Sequence, residues 1–515
     1  MLPPGRLRFH GHVTLDTEGV DGSWRRGGRW LTLPRLWIVV VLGAIGVMQL
    51  AAIPSAIDLA YHVKAGELIV GQRAILRTDV LAWPTVGRPW VDQSWGAQVL
   101  LYAIWRMGGF GLLAISNTLC TVAAWVLVAA ACRRRTASLR LVAAAVLVGY
   151  LAAAPALSAR PQMFSVLLFA VEVYLLEVAR TRPRVALWIP LLMPLWANLH
   201  GAFAVGLGLL AIEAIAAVWR RDRQGVLRFL AVGVLSGIGL LANPWGAGVL
   251  AYDARLPTNQ VVTGMVTEWA PATVRDPTGA MLTGAMGIVA MVAARSRACA
   301  RVPDQLLRMA LLAGLALWAV RASVWFGLAL PVATCALARE RPSRPAEADR
   351  GVPLVSGPVL AALAVALAVP LSPVSRAIVP GAASRPELTA APSAAAGWLA
   401  ANQQPGRMFN FQPWGSYLEF RLGPRIQPAV DSRIELLPAE RWREYLAIAA
   451  GRWDAEWLLG KWGIDYVVTG ERRTPSLTAL LAASGRWRLA FSHGDEQVYV
   501  RVAPRTSAKP LPPAR

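Results

Sequence analysis

Long uninterrupted apolar runs dominate the chain from residue 36 onward. The first, 36–57 (LWIVVVLGAIGVMQLAAIPSAI), holds no charged residue, and about 20 helical residues cross a hydrocarbon core of about 30 Å. It starts too late and runs too long for a cleaved signal peptide, so it reads as a signal anchor. Further runs fall at about 109–132, 141–157, 163–179, 185–198, 202–219, 229–242, 278–294, 309–320, 322–338 and 354–371. Together they predict a polytopic all-α membrane domain over 36–371 with about eleven transmembrane helices. Between 185 and 219 the only strongly polar interruption is Asn198 and His200 in WANLHG, which predicts a tight helical hairpin. Residues 95–109 (WGAQVLLYAIWRMGG) read as an interfacial helix ahead of the second span.

The pattern changes at about 385. Short alternating runs (RMFNF, IQPAVD, DYVVTG, WRLAFS, EQVYVRV) alternate with amphipathic stretches (PAERWREYLAIAA, PSLTALLAA). This predicts a small α/β domain over 385–503. The Pro-rich tail 504–515 is expected to be disordered.

Charge fixes the expected sidedness. Only 16% of residues are charged and the mean hydropathy is +0.45, whereas soluble domains carry about 25% charge. The 52 Lys plus Arg exceed the 30 Asp plus Glu by 22. The surplus sits in alternate segments: the N-terminal 1–35 with Arg6, Arg8, Arg25, Arg26, Arg29 and Arg35, then clusters around 133–140, 180–184, 220–228, 295–308 and 339–350. By the positive-inside rule these are cytoplasmic, so 58–95, 158–162, 198–201, 243–277 and everything after about 372 lie outside. No basic stripe remains for nucleic acid. None of the four cysteines (Cys120, Cys132, Cys299, Cys335) lies in an outer segment, so the outer domain is expected to fold without disulfides, and no Cys/His spacing suggests zinc. There is no internal repeat, and no matched pair of broken helices of the kind carriers use.

Polar residues at membrane depth collect on the predicted outer face. If 57–70 is helical, Asp58, His62 and Gly66 form one open polar stripe at i, i+4 and i+8. Asp92 follows among Trp83, Trp90, Trp95 and Trp105. Arg160 sits in a short turn, Asn198 and His200 at the hairpin tip, and Asn243, Asp253, Arg255, Glu268 and Trp269 in the long outer loop. Such convergence suits a lipid-phosphate substrate, with cations for the phosphate and a carboxylate for the proton. Blander roles stand beside each: a solvated interfacial helix, an aromatic belt at the headgroups, a loop anchor for Arg160, a hairpin cap for His200. Glu172 and Glu213 are intramembrane acids, either functional or paired with a neighbouring helix. Asp431 and Arg433 in AVDSRIE are either cleft contacts from the outer domain or a surface ion pair.

The order DLAYH, TDVLAWPTVGRPWVDQSW, RPQMFS, WANLHGAF, NPWG, EW and DSRIELLP, spread over about 36–500, resembles bacterial multi-span proteins related to the GT-C glycosyltransferases. The resemblance implies an inner-membrane enzyme, multi-pass, that transfers a hexosyl or pentosyl group with inversion from a polyprenyl-phosphate sugar to an extracytoplasmic glycan, lipid or protein. It places Asp58 as the catalytic base. His62, Lys64, Arg160 and His200 are then candidates for the donor phosphate, and Trp90, Asp92, Trp95, Asn198, Asn243, Glu268 and Trp269 for the acceptor cleft. The sequence departs from the family pattern in two ways: Leu59, not a second acid, follows Asp58, and SARPQ holds no carboxylate. Asp92 or Glu268 must then substitute, and a divalent cation on Asp58 and Asp92 stays open. Two other readings remain, a lipid or polysaccharide transporter and a non-catalytic partner in cell-envelope glycan assembly.

Overall fold

The computed structural model describes residues 33–52, 55–338, 388–389 and 391–502. The N-terminal segment before 33, the run 354–371 and the tail 504–515 lie outside the described residues. Helix α1 (Leu33–Ala51) takes up the first apolar run but stops six residues short of the expected end. The sequence carries Pro54 there, and proline cannot continue a helical hydrogen-bond ladder. A separate helix, α2 (Ala56–Gln72), starts behind Ser55, whose hydroxyl accepts from the Ile57 amide. Helix α3 (Trp95–Arg133) joins the expected interfacial segment and the second span in one element. It bends at Gly108 and Gly109, where Gly109 takes φ +61°, a left-handed conformation that glycine adopts without strain.

The remaining runs form α4 (Leu139–Ala153), α5 (Gln162–Ala179), α6 (Ile189–Leu199), α7 (Phe203–Trp219), α8 (Arg223–Leu240), α11 (Pro277–Arg295), α12 (Pro303–Trp318) and α13 (Ser323–Leu337). The short α9 (Gly248–Arg255) and α10 (Gln260–Met265) lie in the long loop after α8. Among the described residues six helical segments are long and apolar enough to cross a membrane, and α1 and α7 are shorter apolar helices. The chain is thus a mostly helical, multi-pass membrane protein. Helices α4 and α13 approach through facing glycines: a Cβ on Gly149 would lie 2.4 Å from the Gly327 carbonyl oxygen, and one on Gly327 2.5 Å from that of Gly149. Small residues permit such contact where no hydrophobic effect drives helices together. Trp125, Tyr150, Phe169, Trp196 and Phe326 fill the bundle interior.

The two ends of the bundle differ in charge chemistry. At one end the basic turns meet: Arg135 pairs with Glu177 and Asp304, Arg180 and Arg220 pair with Asp304, and Arg308 pairs with Glu213. Glu213 is therefore a paired structural acid. Glu172, one and a half turns before Glu177 on α5, is fully buried, and neither of its oxygens has a hydrogen-bond partner among the described residues.

At the other end sits a four-stranded sheet with its helices: α14 (Ser393–Asn402), β1 (Arg407–Asn410), α15 (Gly415–Leu422), α16 (Ala439–Ala449), α17 (Ala455–Lys461), β2 (Ile464–Gly470), α18 (Pro475–Ala483), β3 (Trp487–His493) and β4 (Glu496–Arg501). The order is β1-β2-β4-β3, with β1 and β2 parallel and the other pairs antiparallel. Alternation along the strands feeds two cores: Phe409 and Val467 face Trp442, Tyr445 and Trp462, while Met408, Tyr466 and Val468 face Leu399 and Leu418. IQPAVD, expected as a strand, is not one. Pro428 has no N–H to donate to a ladder, and the Asn410 side chain serves this segment instead, accepting from the Ala429 amide and donating to the Val430 carbonyl.

The sheet domain is bolted to the first outer loop. The Arg433 guanidinium is buried and pairs with Asp431, Glu419 and Asp79, so the AVDSRIE pair is neither a surface ion pair nor a cleft contact. Arg433 also stacks over Trp90 (4.8 Å) and Tyr61 (5.8 Å). Trp83 donates to the Met408 carbonyl (2.9 Å) under the Arg407 guanidinium, and Trp105 packs edge-on against Phe420 of α15. Trp83, Trp90 and Trp105 are thus joints between loop and domain, not a headgroup belt.

Candidate functional site

Asp58 lies in the first turn of α2, held there by the Ser55 cap. Its Oδ2 accepts from Arg160 Nη1 at 2.9 Å, and the same guanidinium donates through Nη2 to Glu268 Oε2 at 2.7 Å. Gln162 fixes the third edge by accepting from Arg160 Nε at 3.1 Å. Three segments far apart in sequence thus meet on one guanidinium. The two carboxylates keep 32% and 41% of their side-chain surface while Arg160 keeps 14%, so the acids face open space and the cation lies beneath them. Burial works against the charge on Arg160, but Asp58 and Glu268 more than offset it and hold the guanidinium charged.

A second arginine lies close by. Arg321, in the turn between α12 and α13, stacks over Trp269 at 4.7 Å and is within electrostatic range of Arg160, Glu268, Asp58 and Asp253. It is absent from the sequence-level candidates, although it is the lone charge between the apolar runs 309–320 and 322–338. Asp253 on α9 lies near Gln93, and burial raises its carboxyl to about 7.

Helix α2 is as regular as the spacing required, but its His62 and Gly66 face is closed. A Cβ on Gly66 would lie 2.1 Å from the Gln98 carbonyl oxygen, so the stripe is where α3 packs. His62 is 7% exposed, with Nδ1 3.3 Å from Gln98 Nε2, which also donates to Asp92 Oδ1 at 2.6 Å. Burial, then Arg160 and Arg433, lower His62 to about 3. Burial raises Asp92 to about 8, partly offset by Gln98. Both groups are therefore neutral near pH 7, and Asp92 is a buried support beneath the site. His200 bonds Ser165 through Nδ1 (2.9 Å), and burial, then Arg321 and Arg160, also hold it below the usual imidazole range. Burial thus disfavours the charged form of both histidines.

Other expected residues are spent on packing. Lys64 follows Asp58 by six residues, about 240° further around a helix, and its ammonium pairs with Glu67 (2.8 Å) on another face. Asn198 accepts from Trp95 Nε1 (2.7 Å) and donates to the Pro194 and Ala242 carbonyls, tying the first loop to the hairpin tip. Asn243 accepts from the Trp245 amide and donates to the Leu240 and Gly246 carbonyls, closing its own turn. Trp90 is 4% exposed beneath Arg433.

The two residues named for a divalent cation, Asp58 and Asp92, are each engaged by another side chain. Among the described residues no three His, Cys, Asp or Glu side chains gather as a metal site. The Arg160 guanidinium stands between Asp58 and Glu268, and Asp92 is engaged by Gln98.

No family model matches the sequence, and no curated protein matches it. Solved structures do match. The oligosaccharyltransferase of Archaeoglobus fulgidus, crystallised with a tethered acceptor peptide containing the NVT sequon, superposes with a TM-score of 0.53 at 14% identity. The match covers 91% of this chain and 74% of that one. The same enzyme in complex with Zn and sulfate gives 0.51 at 12% identity, covering 87% and 70%. ArnT from Cupriavidus metallidurans, bound to undecaprenyl phosphate, gives 0.49 at 14% identity, covering 92% and 99%. The likeness to the archaeal enzyme spans most of this chain, and what it shows is a shared fold.

Proposed function

We propose that the protein is an inverting glycosyltransferase that takes a hexosyl or pentosyl group from a polyprenyl-phosphate donor to a glycan, lipid or protein acceptor outside the cytoplasm. The observation that carries this reading is the Asp58–Arg160–Glu268 constellation, two partly exposed carboxylates over one buried guanidinium. Asp58 takes the proton of the acceptor hydroxyl as the acceptor oxygen bonds to the anomeric carbon. The bond from that carbon to the phosphate oxygen breaks, and the lipid phosphate departs with the electron pair. Arg160 and Arg321 are the cations near enough to meet its charge. Interactions that strengthen as charge moves onto the phosphate lower the barrier more than they aid binding.

The face bearing Asp58 and the sheet domain is the extracytoplasmic one, and the end where the basic turns meet is cytoplasmic, in a bacterial inner membrane. The chain resides there with its N-terminus inside. Purified protein given a panel of polyprenyl-phosphate sugars is expected to transfer one of them, and Asp58→Asn to lower turnover about 10²- to 10⁴-fold. Glu67→Gln, on the same helix but bonded to Lys64, is the matched control and is expected to stay within a few-fold. Equal loss in both variants, or normal turnover in Asp58→Asn, would refute the assignment.

A further inference from the structure

A second charged concavity lies at the opposite end of the bundle. A cavity of about 380 Å³ opens there, lined by Arg133, Arg134 and Arg135 at the end of α3 and by Glu177, Arg180 and Thr181 at the end of α5. That volume falls in the range of small-ligand sites. Its wall carries four guanidinium groups against one carboxylate. The deeper charges are mutually satisfied: Arg135 is held by Glu177, Arg180 by Asp304, and Arg308 by Glu213. Glu177 and Asp304 are fully buried, so this part of the wall is a fixed frame.

The outer pair differs. Among the described residues Arg133 donates to the Thr136 and Ala137 carbonyls, and Arg134 to the Thr181 hydroxyl. Among the described residues neither has a carboxylate partner, and both are exposed at the mouth. Positive charge is therefore in excess on a concave surface, where two spans end and the phosphate layer of a bilayer begins. Planar guanidinium groups suit two-point binding of phosphate oxygens, and basic pockets between spans hold anionic headgroups in this way.

We propose that this cavity is a binding site for a phosphate-bearing anion, with Arg133 and Arg134 as the capturing cations and the buried Arg135–Glu177 pair as the floor. It is separate from the Asp58 site, and its occupancy does not depend on the transfer reaction. The test uses the full chain in nanodiscs of phosphatidylcholine, titrated either with a short-chain fluorescent phosphatidylglycerol or with inorganic phosphate. The comparison is the Arg133→Gln/Arg134→Gln double variant, which changes exposed side chains, with its melting curve recorded alongside.

Saturable binding of the phosphatidylglycerol probe, weakened about 30-fold in the double variant by the loss of two surface cations, establishes a headgroup site. Saturation by inorganic phosphate alone, with the same sensitivity to the double variant, establishes a site for free phosphate. Binding of neither probe, or equal binding by wild type and double variant with matching melting curves, overturns the proposal. Activity is not read in any arm, so failure here leaves the assignment of Asp58 standing.

Discussion

The guanidinium of Arg433 and the carboxylate of Asp79, 354 positions apart, form a buried ion pair that fastens the sheet domain to the first outer loop. Asp79 also accepts from the Leu81 amide and the Thr85 hydroxyl, so it organises its own turn as well as the joint.

Asp79→Asn is therefore expected to destabilise. The substitution takes away one of the three carboxylates around the buried Arg433 and leaves Asp431 and Glu419 in place, so the loss is expected to fall below the about 3 to 5 kcal/mol of stranding a buried charge altogether. A lower melting temperature and faster proteolysis between the bundle and residues 391–502 would show it. An unchanged melting curve would mean that the joint is held by its aromatic contacts alone. Asp79 is consequently unsuited as a neutral control for Asp58.

Asp92 is expected to give stability a pH dependence. Burial raises its folded value to about 8, above the roughly 3.9 of an unfolded chain. Between those values the folded protein holds a proton that the unfolded chain has released, so stability falls as pH rises through that window. Asp92→Asn removes the dependence, and thermal unfolding should show the variant gaining on wild type from about pH 4 to about pH 8. Parallel curves would refute the assignment.

Glu172 and Glu213 are expected to answer oppositely to amide substitution. Glu213→Gln strips the buried Arg308 of a charge partner and should lower the melting temperature. Glu172→Gln replaces a carboxyl that has no hydrogen-bond partner among the described residues, so it should leave stability level or raise it. A large loss in Glu172→Gln would show that its carboxyl is held by a group outside those residues.

Gly66→Ala is expected to part α2 from α3. The added methyl meets the Gln98 carbonyl, and overpacking of this kind costs about 1 to 3 kcal/mol. Because α2 also carries Asp58, transfer activity should fall with stability, whereas Gly71→Ala, with open space around it, should change neither. Full activity in Gly66→Ala would show that the site tolerates a displaced α2.

What the sequence disclosed follows from what periodicity can carry. The spacing of Asp58 and His62 fixed their relative angle on one helix, but not what that face would meet, so a packing surface was taken for an open stripe. Alternation of arginine clusters told which turns share an end, and this brought Arg160 and Glu268 to Asp58 across more than a hundred residues. The burial of Arg433 has no signature in the sequence, because its partners, Asp79, Glu419 and Trp90, come from three segments with no shared period. Arg321 carries no distinguishing signal in the sequence, because one charge between two apolar runs resembles an ordinary turn. Trp83, Trp90 and Trp105 match an interfacial belt in composition, and their contacts with the sheet domain come from segments that no local pattern links to them.

Helix α5 gives the molecule a built-in measure of its surroundings. Arg160 precedes it and Arg180 follows it, each clamped by carboxylates at its own end. Twenty residues at 1.5 Å each set these anchors about 30 Å apart, close to the thickness of a hydrocarbon core. A thicker bilayer would pull one guanidinium into the acyl layer, and a thinner one would leave apolar turns in the headgroups. Membrane helices in general relieve either mismatch by tilting or by deforming the lipid around them. A tilt of α5 would carry Arg160 with it, and through the Arg160–Asp58 pair membrane thickness would reach the geometry around Asp58.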